Sequence, residues 1–197
     1  MQPIRLGIMG FGRVGRQLYQ LAVQDERFDV VAISDIGIAG ILHNLLTKTD
    51  RDLDVNLENN YLVSERGRTR LMSINRPTET PWDVFEVDVV IEATGRFCQL
   101  ADLTPHIENG AARVVLSALP EEEIDRVILY GVNEADASAA DQIISAGSAS
   151  TTATALALKI ITDAFAVEQA TMTSVHAYTS DQSLQDYAGP DYRRSRS

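Results

Sequence analysis

The residues of this chain with the clearest capacity for chemistry are three glycines and one carboxylate. Gly10-Phe11-Gly12-Arg13-Val14-Gly15 has the spacing G-x-G-x-x-G. It follows a short apolar run, Ile4 to Met9. It opens a segment, Arg13 to Gln24, in which Val14, Leu18, Leu21 and Ala22 share one helical face. Between a strand and a helix these glycines have separate tasks: Gly10 permits the tight turn, Gly12 lets a pyrophosphate approach the backbone, and Gly15 lets helix and strand pack closely. The Gly10-Phe11-Gly12 turn and the backbone N–H groups of Arg13 and Val14, at the positive end of the helix, then form a phosphate cradle. A glycine-rich turn with no ligand is the plainer alternative. The order of elements decides between them. Asp35 ends a second apolar run, Phe28 to Ser34, about 20 residues after Gly15, where a carboxylate accepts hydrogen bonds from ribose hydroxyls. An aspartate after a strand also serves as a turn or N-cap residue. Strand, glycine loop, helix, strand and acid in succession carry the dinucleotide reading. Asp35 would repel a 2′-phosphate, so the expected cofactor is NAD rather than NADP.

A second group lies near residue 150. Ser148, Ser150 and Thr151 stand at the start of a segment of helical composition, Ser148 to Ala166, so hydroxyls and free N–H groups converge there. The residues admit two readings: a site for a phosphate-like anion, or plain helix capping by Ser148. Three histidines, His43, His106 and His176, have by type alone no role beyond structure or surface. Cys98 is the only cysteine, which excludes an intrachain disulfide and a cysteine-rich zinc module. It reads as a small buried hydrophobe, and no metal site is expected.

The elements that must position these groups follow from the apolar pattern. Val30-Val31-Ala32-Ile33 is a continuous apolar run, the mark of a strand buried on both faces. A helix is expected over Ile38 to Leu46, and a polar antiparallel hairpin over Tyr61 to Ile74, turning near Glu65-Arg66-Gly67. Val87 to Glu92 is a further buried strand, with a helix from about Gln99. Arg113 to Ser117, Arg126 to Tyr130, Gln142 to Ser145 and Gln169 to Tyr178 are strand-like. Alternation of this kind specifies an α/β protein with a parallel, doubly wound sheet. The expected organisation is one full α/β domain over residues 1–147 and, over 148–197, the opening of a second, incomplete domain. With 45% hydrophobic and 23% charged residues the chain is of globular composition. Lys and Arg number 17 against 28 Asp and Glu, a net charge of −11, which argues against binding nucleic acid or an anionic membrane. No apolar run approaches the roughly 18 residues of a membrane helix, and Met1-Gln2-Pro3-Ile4-Arg5 does not read as a signal peptide. A cytoplasmic location is the expectation.

Taken together, the motifs resemble the glyceraldehyde-3-phosphate dehydrogenase family. Leu6 to Arg16 is similar to that family's opening, with Met9 where the family usually has Asn. Val31 to Asp35 resembles its second strand. Pro81-Trp82, Val89 to Phe97 with its Glu92-Ala93-Thr94-Gly95 core, and Tyr130-Gly131-Val132-Asn133 match further signatures. Val175 to Gln182 and Arg193-Arg194 resemble the segment that holds the catalytic histidine. Erythrose-4-phosphate dehydrogenases share most of these features. The resemblance implies a Rossmann-type NAD-binding domain followed by the start of an α+β catalytic domain, and a homo-oligomer, a tetramer in the family. It implies oxidation of an aldehyde phosphate: a cysteine thiolate attacks the aldehyde, hydride passes to NAD, and phosphate cleaves the thioester. It places His176 at the general base, Thr94, Gly95 and Ser117 beside the nicotinamide, and Thr179 at the substrate phosphate.

The nucleophile departs from that pattern. Where the family has Ser-Cys-Thr-Thr-Asn-Cys, this chain reads Ser148-Ala149-Ser150-Thr151-Thr152-Ala153. Without gaps Ala149 falls on the catalytic cysteine; a shift by one residue puts Ser150 there. Neither register supplies a thiol. Three readings follow: an NAD-binding member of the family with its aldehyde chemistry disabled, an incomplete or altered chain of an active dehydrogenase, or a regulatory or scaffolding protein on the same fold.

Overall fold

The computed structural model describes residues 2–49 and 53–177. The chain divides into two units, Met1–Ile160 and Ile161–Ser197. Among the described residues, the first is built on one nine-stranded sheet. Its strands are β1 (Ile4–Met9), β2 (Phe28–Ser34), β3 (Asn56–Glu58), β4 (Tyr61–Ser64), β5 (Gly67–Met72), β6 (Val89–Glu92), β7 (Arg113–Leu116), β8 (Arg126–Val127) and β9 (Ile143–Ser145). The spatial order is β3-β4-β5-β2-β1-β6-β7-β9-β8. From β5 through β8 every pairing is parallel, while β3, β4 and β5 form an antiparallel meander. The helices are α1 (Arg13–Ala22), α2 (Ala39–Thr49), α3 (Leu100–Glu108) and α4 (Ala149–Ala164).

The expected strands and helices form with ends shifted by a few residues, most of them trimmed, whereas α2 runs past Leu46 to Thr49. Two departures stand out. The 126–130 segment is strand only at Arg126–Val127, because Leu129 N–H turns to the Asn133 side chain at 2.7 Å and leaves the ladder. The strand expected over Gln169 to Tyr178 does not form: residues 169–177 have no regular structure, and Tyr178 lies outside the described residues. A strand needs a neighbour to take its N–H and C=O groups, and no described strand pairs with this segment. Apolar β-branched composition alone does not replace that ladder.

The core follows the pleat. Leu6 and Ile8 of β1 join Tyr19 and Ala22 of α1, Leu42 and Leu46 of α2, and Leu62 and Leu71 of the meander. Met9 joins Val31, Ala32, Trp82, Val87 and Val90 in a second cluster. A third, of Cys98, Leu103, Val114, Leu116 and Ile143, lies under α3. Gly7 belongs to this packing and not to the glycine loop: a Cβ there would fall 2.7 Å from the Trp82 ring.

Candidate functional site

The strand order reverses between β1 and β6, which places a crevice beyond the carboxyl ends of these strands. Two backbone bonds hold its mouth. Gly10 N–H donates to Ser34 O at 2.8 Å, and Ala93 N–H to Met9 O at 2.7 Å. The cleft there has a volume of about 150 Å³, and Gly10, Gly12, Asp35, Ile36, Thr94 and Phe97 line it. The glycine loop and the acid, 20 or more residues apart in sequence, thus meet in one concavity.

The three glycines divide as their spacing predicts. Gly10 has φ +92°, and a Cβ on it would lie 2.7 Å from Thr94 N. Gly15 is tighter still: its Cβ would sit 2.1 Å from the Gly10 carbonyl oxygen, so α1 can lie this close to β1 only with hydrogen at that position. Gly12 is different. A Cβ there meets nothing within 4 Å and would project into open space. This is the geometry a pyrophosphate needs, because the backbone is bare where the ligand must approach.

Gly12 also caps α1, with no side-chain hydrogen bond to the cap and no acidic residue in the first turn. The first N–H groups of a helix have no partner within it, so those of Arg13 and Val14 remain for an anion at the positive end of the dipole. Phe11 N–H is not available in that way. It donates to Asp35 Oδ2 at 2.6 Å, while Asp35 Oδ1 accepts from Gly37 N–H at 2.8 Å. Asp35 therefore ties the glycine loop to its own turn as well as facing the cleft. Arg16 donates to Phe11 O at 3.1 Å and braces the same loop from α1.

Thr94 lines the cleft, and its N–H and hydroxyl both donate to Glu92. Gly95, at φ +68°, and Ser117 lie at the same edge of the sheet but outside the cleft lining. Ser117 N–H donates to Glu92 O at 2.9 Å. Met9, Ser34, Ile36, Ile74, Asn75, Ala93, Arg96 and Phe97 complete the lining, and none of them was an expected cofactor contact. Ile36 carried a signal: an isoleucine just after the acid, 71% exposed, offers an apolar face beside a polar cradle. Ile74 and Asn75 carried none.

At the second predicted site, Ser148 caps α4. Its hydroxyl accepts Thr151 N–H at 3.1 Å and lies 2.7 Å from the Thr151 hydroxyl and 3.3 Å from that of Ser150. Ala149 is the first residue of α4 and is exposed. Cys98 is buried in the cluster under α3. Burial, then the carboxylates of Glu121, Glu92 and Asp102, push its thiol above the usual range, the reverse of an activated nucleophile. In the second unit His176 is exposed, with Nδ1 hydrogen-bonded to the Ala177 carbonyl. Thr179 lies outside the described residues. His43 and His106 are structural: His43 bonds Val55 O at 2.8 Å, and His106 is fully buried. Among the described residues there is no cluster of three metal-ligating side chains, and no helix is long and apolar enough to cross a membrane.

A parallel sheet with a glycine loop, a bare helix N-terminus and an acid at its switch point defines a dinucleotide-binding domain of Rossmann type. Comparison with known proteins makes this specific. Residues 4–100 match the family model for the glyceraldehyde 3-phosphate dehydrogenase NAD binding domain, and residues 148–197 match that for its C-terminal domain. The chain is 38% identical over 199 residues to glyceraldehyde-3-phosphate dehydrogenase 1 of Bacillus subtilis, covering 98% of this chain and 59% of that protein. It is 38% identical over 204 residues to the Mycobacterium leprae enzyme of that name, with 98% and 60% covered. The Mycoplasma pneumoniae counterpart is 33% identical over 199 residues, with 99% and 59% covered. The chain belongs to the glyceraldehyde-3-phosphate dehydrogenase family, and NAD is the cofactor of its first domain. It spans about three fifths of the length of these relatives.

Proposed function

We propose that this chain binds NAD in preference to NADP and does not carry out the thioester chemistry of its relatives. The observation that carries the reading is a pair of contrasts: the Gly12 cradle opens beside Asp35, while the first residue of α4 presents the methyl group of Ala149. The residues fit the cofactor. Arg13 and Val14 N–H groups would hold the pyrophosphate, Asp35 a ribose, and Gly10, Phe11 and Gly12 the turn beneath them. Thr94, Gly95 and Ser117 border the same sheet edge toward the nicotinamide. Bound NAD supplies a hydride acceptor. The chain's own part is to orient it and exclude the 2′-phosphate. A methyl group cannot form a thiohemiacetal, and His176, as the base, has no thiol to activate. Ser150 is a weak substitute, since an unactivated hydroxyl is a poor nucleophile.

The names of the relatives suggest glyceraldehyde 3-phosphate as the substrate class. Ser148, Ser150, Thr151 and Thr179 are the residues we assign to an anion of that kind, in a homo-oligomer. We place the domain boundary at residue 147, supported by the start of the second family match at 148; the division of the chain into units falls later, inside α4. The test is NADH formation from glyceraldehyde 3-phosphate and phosphate. No turnover is expected from the chain as written, and Ala149→Cys should give a reactive thiol. Substantial turnover by the unaltered chain would overturn the reading and favour an active dehydrogenase working through Ser150 or Cys98. A specific protein partner retained without NAD would favour the scaffolding alternative.

A further inference from the structure

A second concavity adjoins the cofactor cleft and has no part in the reading above. It lies along β5 toward its carboxyl end and has a volume of about 380 Å³, within the range of about 300–1,000 Å³ of pockets that take small molecules. Met72, Ile74, Pro81, Val84 and Phe85 give it apolar walls, and its polar side chains are Asn60, Arg70 and Ser73. Ile74 is the one residue that it shares with the cofactor cleft.

The walls are fixed from behind. Ser34 hydroxyl donates to Ile74 O at 2.8 Å, and Asp35 N–H to Met72 O at 3.0 Å, which holds the partition toward the cofactor cleft. On the other side Arg5 donates to Phe85 O at 2.9 Å and to Glu86 O at 3.0 Å. Val84 is 70% exposed, an apolar surface that no described element covers. The pleat decides which side chains of β5 face this space. Successive side chains of a strand point to opposite faces. Leu71 packs into the cluster with α1 and α2, and Met72 packs against the Trp82 cluster. Arg70 therefore shares the Met72 face.

Arg70 is the one charged residue of this lining. Its guanidinium carbon lies 5.0 Å from the centroid of the Tyr61 ring, its cross-strand neighbour. A cation–π contact holds the side chain without neutralising it. Arg68, two residues earlier on β5, also lies over Tyr61 but pairs with Glu58 at 3.4 Å. Among the described residues no carboxylate pairs with Arg70. A guanidinium presents a planar fork that matches one carboxylate through two parallel N–H···O bonds. The rest of the pocket offers apolar faces, among them the ring of Phe85, suited to an aromatic body.

We propose that this pocket is a second small-molecule site, which takes a carboxylate carried on a flat apolar body. Arg70 binds the carboxylate, and Met72, Val84 and Phe85 cover the body. The site is separate from the cofactor cleft, so the two fill independently. The proposal stands whether or not that cleft holds NAD.

The test uses the full chain with methyl-labelled methionine, and 2-naphthoate as the probe. Met72 lines this pocket and Met9 lines the cofactor cleft, so one spectrum reports on both. 2-Naphthoate should shift the Met72 methyl resonance along a saturable one-site curve and leave that of Met9 in place. The neutral amide, 2-naphthamide, should bind about tenfold more weakly or worse, as for one lost hydrogen bond to a charged group. Arg70→Gln should weaken 2-naphthoate by the same factor. Should that variant fail to fold, Val84→Glu at an exposed position sets a carboxylate against the probe and should weaken it likewise. No shift at Met72 with millimolar probe would overturn the site. A shift at Met9 in its place would put the probe in the cofactor cleft and overturn it too. Equal affinity for acid and amide, or undiminished binding by a folded Arg70→Gln, would refute the role of Arg70 and with it the carboxylate.

Discussion

Valine at position 12 separates cofactor binding from folding more cleanly than any other change. Gly12 has φ −69° and ψ −154°, a conformation open to any L-residue, and its Cβ direction is empty to 4 Å. Gly12→Val therefore creates no internal clash. Its cost is the poorer N-cap preference of valine, about 1 kcal/mol at most, partly offset by the smaller entropy of the unfolded chain. The new side chain occupies the space through which a pyrophosphate would reach the N–H groups of Arg13 and Val14. Losing two charge-assisted hydrogen bonds at about 1.5–3 kcal/mol each removes at least about 3 kcal/mol, a hundredfold or more in affinity. The flanking glycines give the opposite pattern. Gly10→Ala forces a left-handed alanine against Thr94 N, at a cost of about 1–3 kcal/mol before the clash is counted. Gly15→Ala drives a methyl into the Gly10 carbonyl, and α1 must move. Thermal melts and NAD calorimetry on the three variants check this. We expect Gly12→Val to melt close to the parent and bind at least a hundredfold more weakly, with Gly10→Ala and Gly15→Ala losing stability first. A stable Gly12→Val that binds NAD within a few-fold of the parent would refute the cradle.

Asp35→Ala should weaken NAD by about 1–3 kcal/mol in calorimetry, the scale of a hydrogen bond to a charged group, and should leave NADP affinity unchanged or raised. It also frees Phe11 N–H, so the loop should gain hydrogen-exchange rate at that amide. Ala149→Cys should create a thiol at the first turn of α4 that alkylates much faster than Cys98, whose thiol is buried and shifted upward. The helix dipole should lower the new thiol's pKa by up to about one unit, measured from the pH dependence of alkylation. Tyr19 is 1% exposed, and burial pushes its hydroxyl from 10.0 to about 12, against a smaller opposing hydrogen bond from Thr69. Because the folded value is raised, this contribution is intact below pH 10 and is lost as pH climbs from 10 toward 12, where the unfolded chain ionises first. It amounts to about 2–3 kcal/mol at full development, so Tyr19→Phe should flatten the decline in denaturant midpoint between pH 10 and 12.

The fold was legible wherever burial imposes a simple pattern. The apolar runs at Ile4–Met9, Phe28–Ser34 and Val89–Glu92 are strands because both of their faces are covered. The hairpin at Tyr61–Met72 follows from its turn residues. The Gln169–Tyr178 segment misled because β-branched composition reports the capacity to pair, whereas strand formation requires a partner. The insertion of β9 between β7 and β8 was equally hidden, since short strands carry too few residues to encode their neighbours. At the site, Gly10, Gly12, Gly15 and Asp35 were readable because each needs a residue type with few substitutes. The double duty of Asp35, which also holds Phe11 N–H, was not, because an aspartate looks alike whichever donors it meets. Nor was the bond between Trp82 and His106, whose side chains lie 24 positions apart. Gly7 read as one more strand residue, and only the indole stacked against it shows why it is glycine.

The central claim is that an intact cofactor cradle accompanies a missing nucleophile, and the cradle is tested most directly by calorimetric titration of the full chain with NAD and, in parallel, with NADP. The account predicts saturable one-site binding of NAD, weaker binding of NADP, and loss of both on Gly12→Val. No heat of binding with NAD, or equal affinity for the two cofactors, would contradict it.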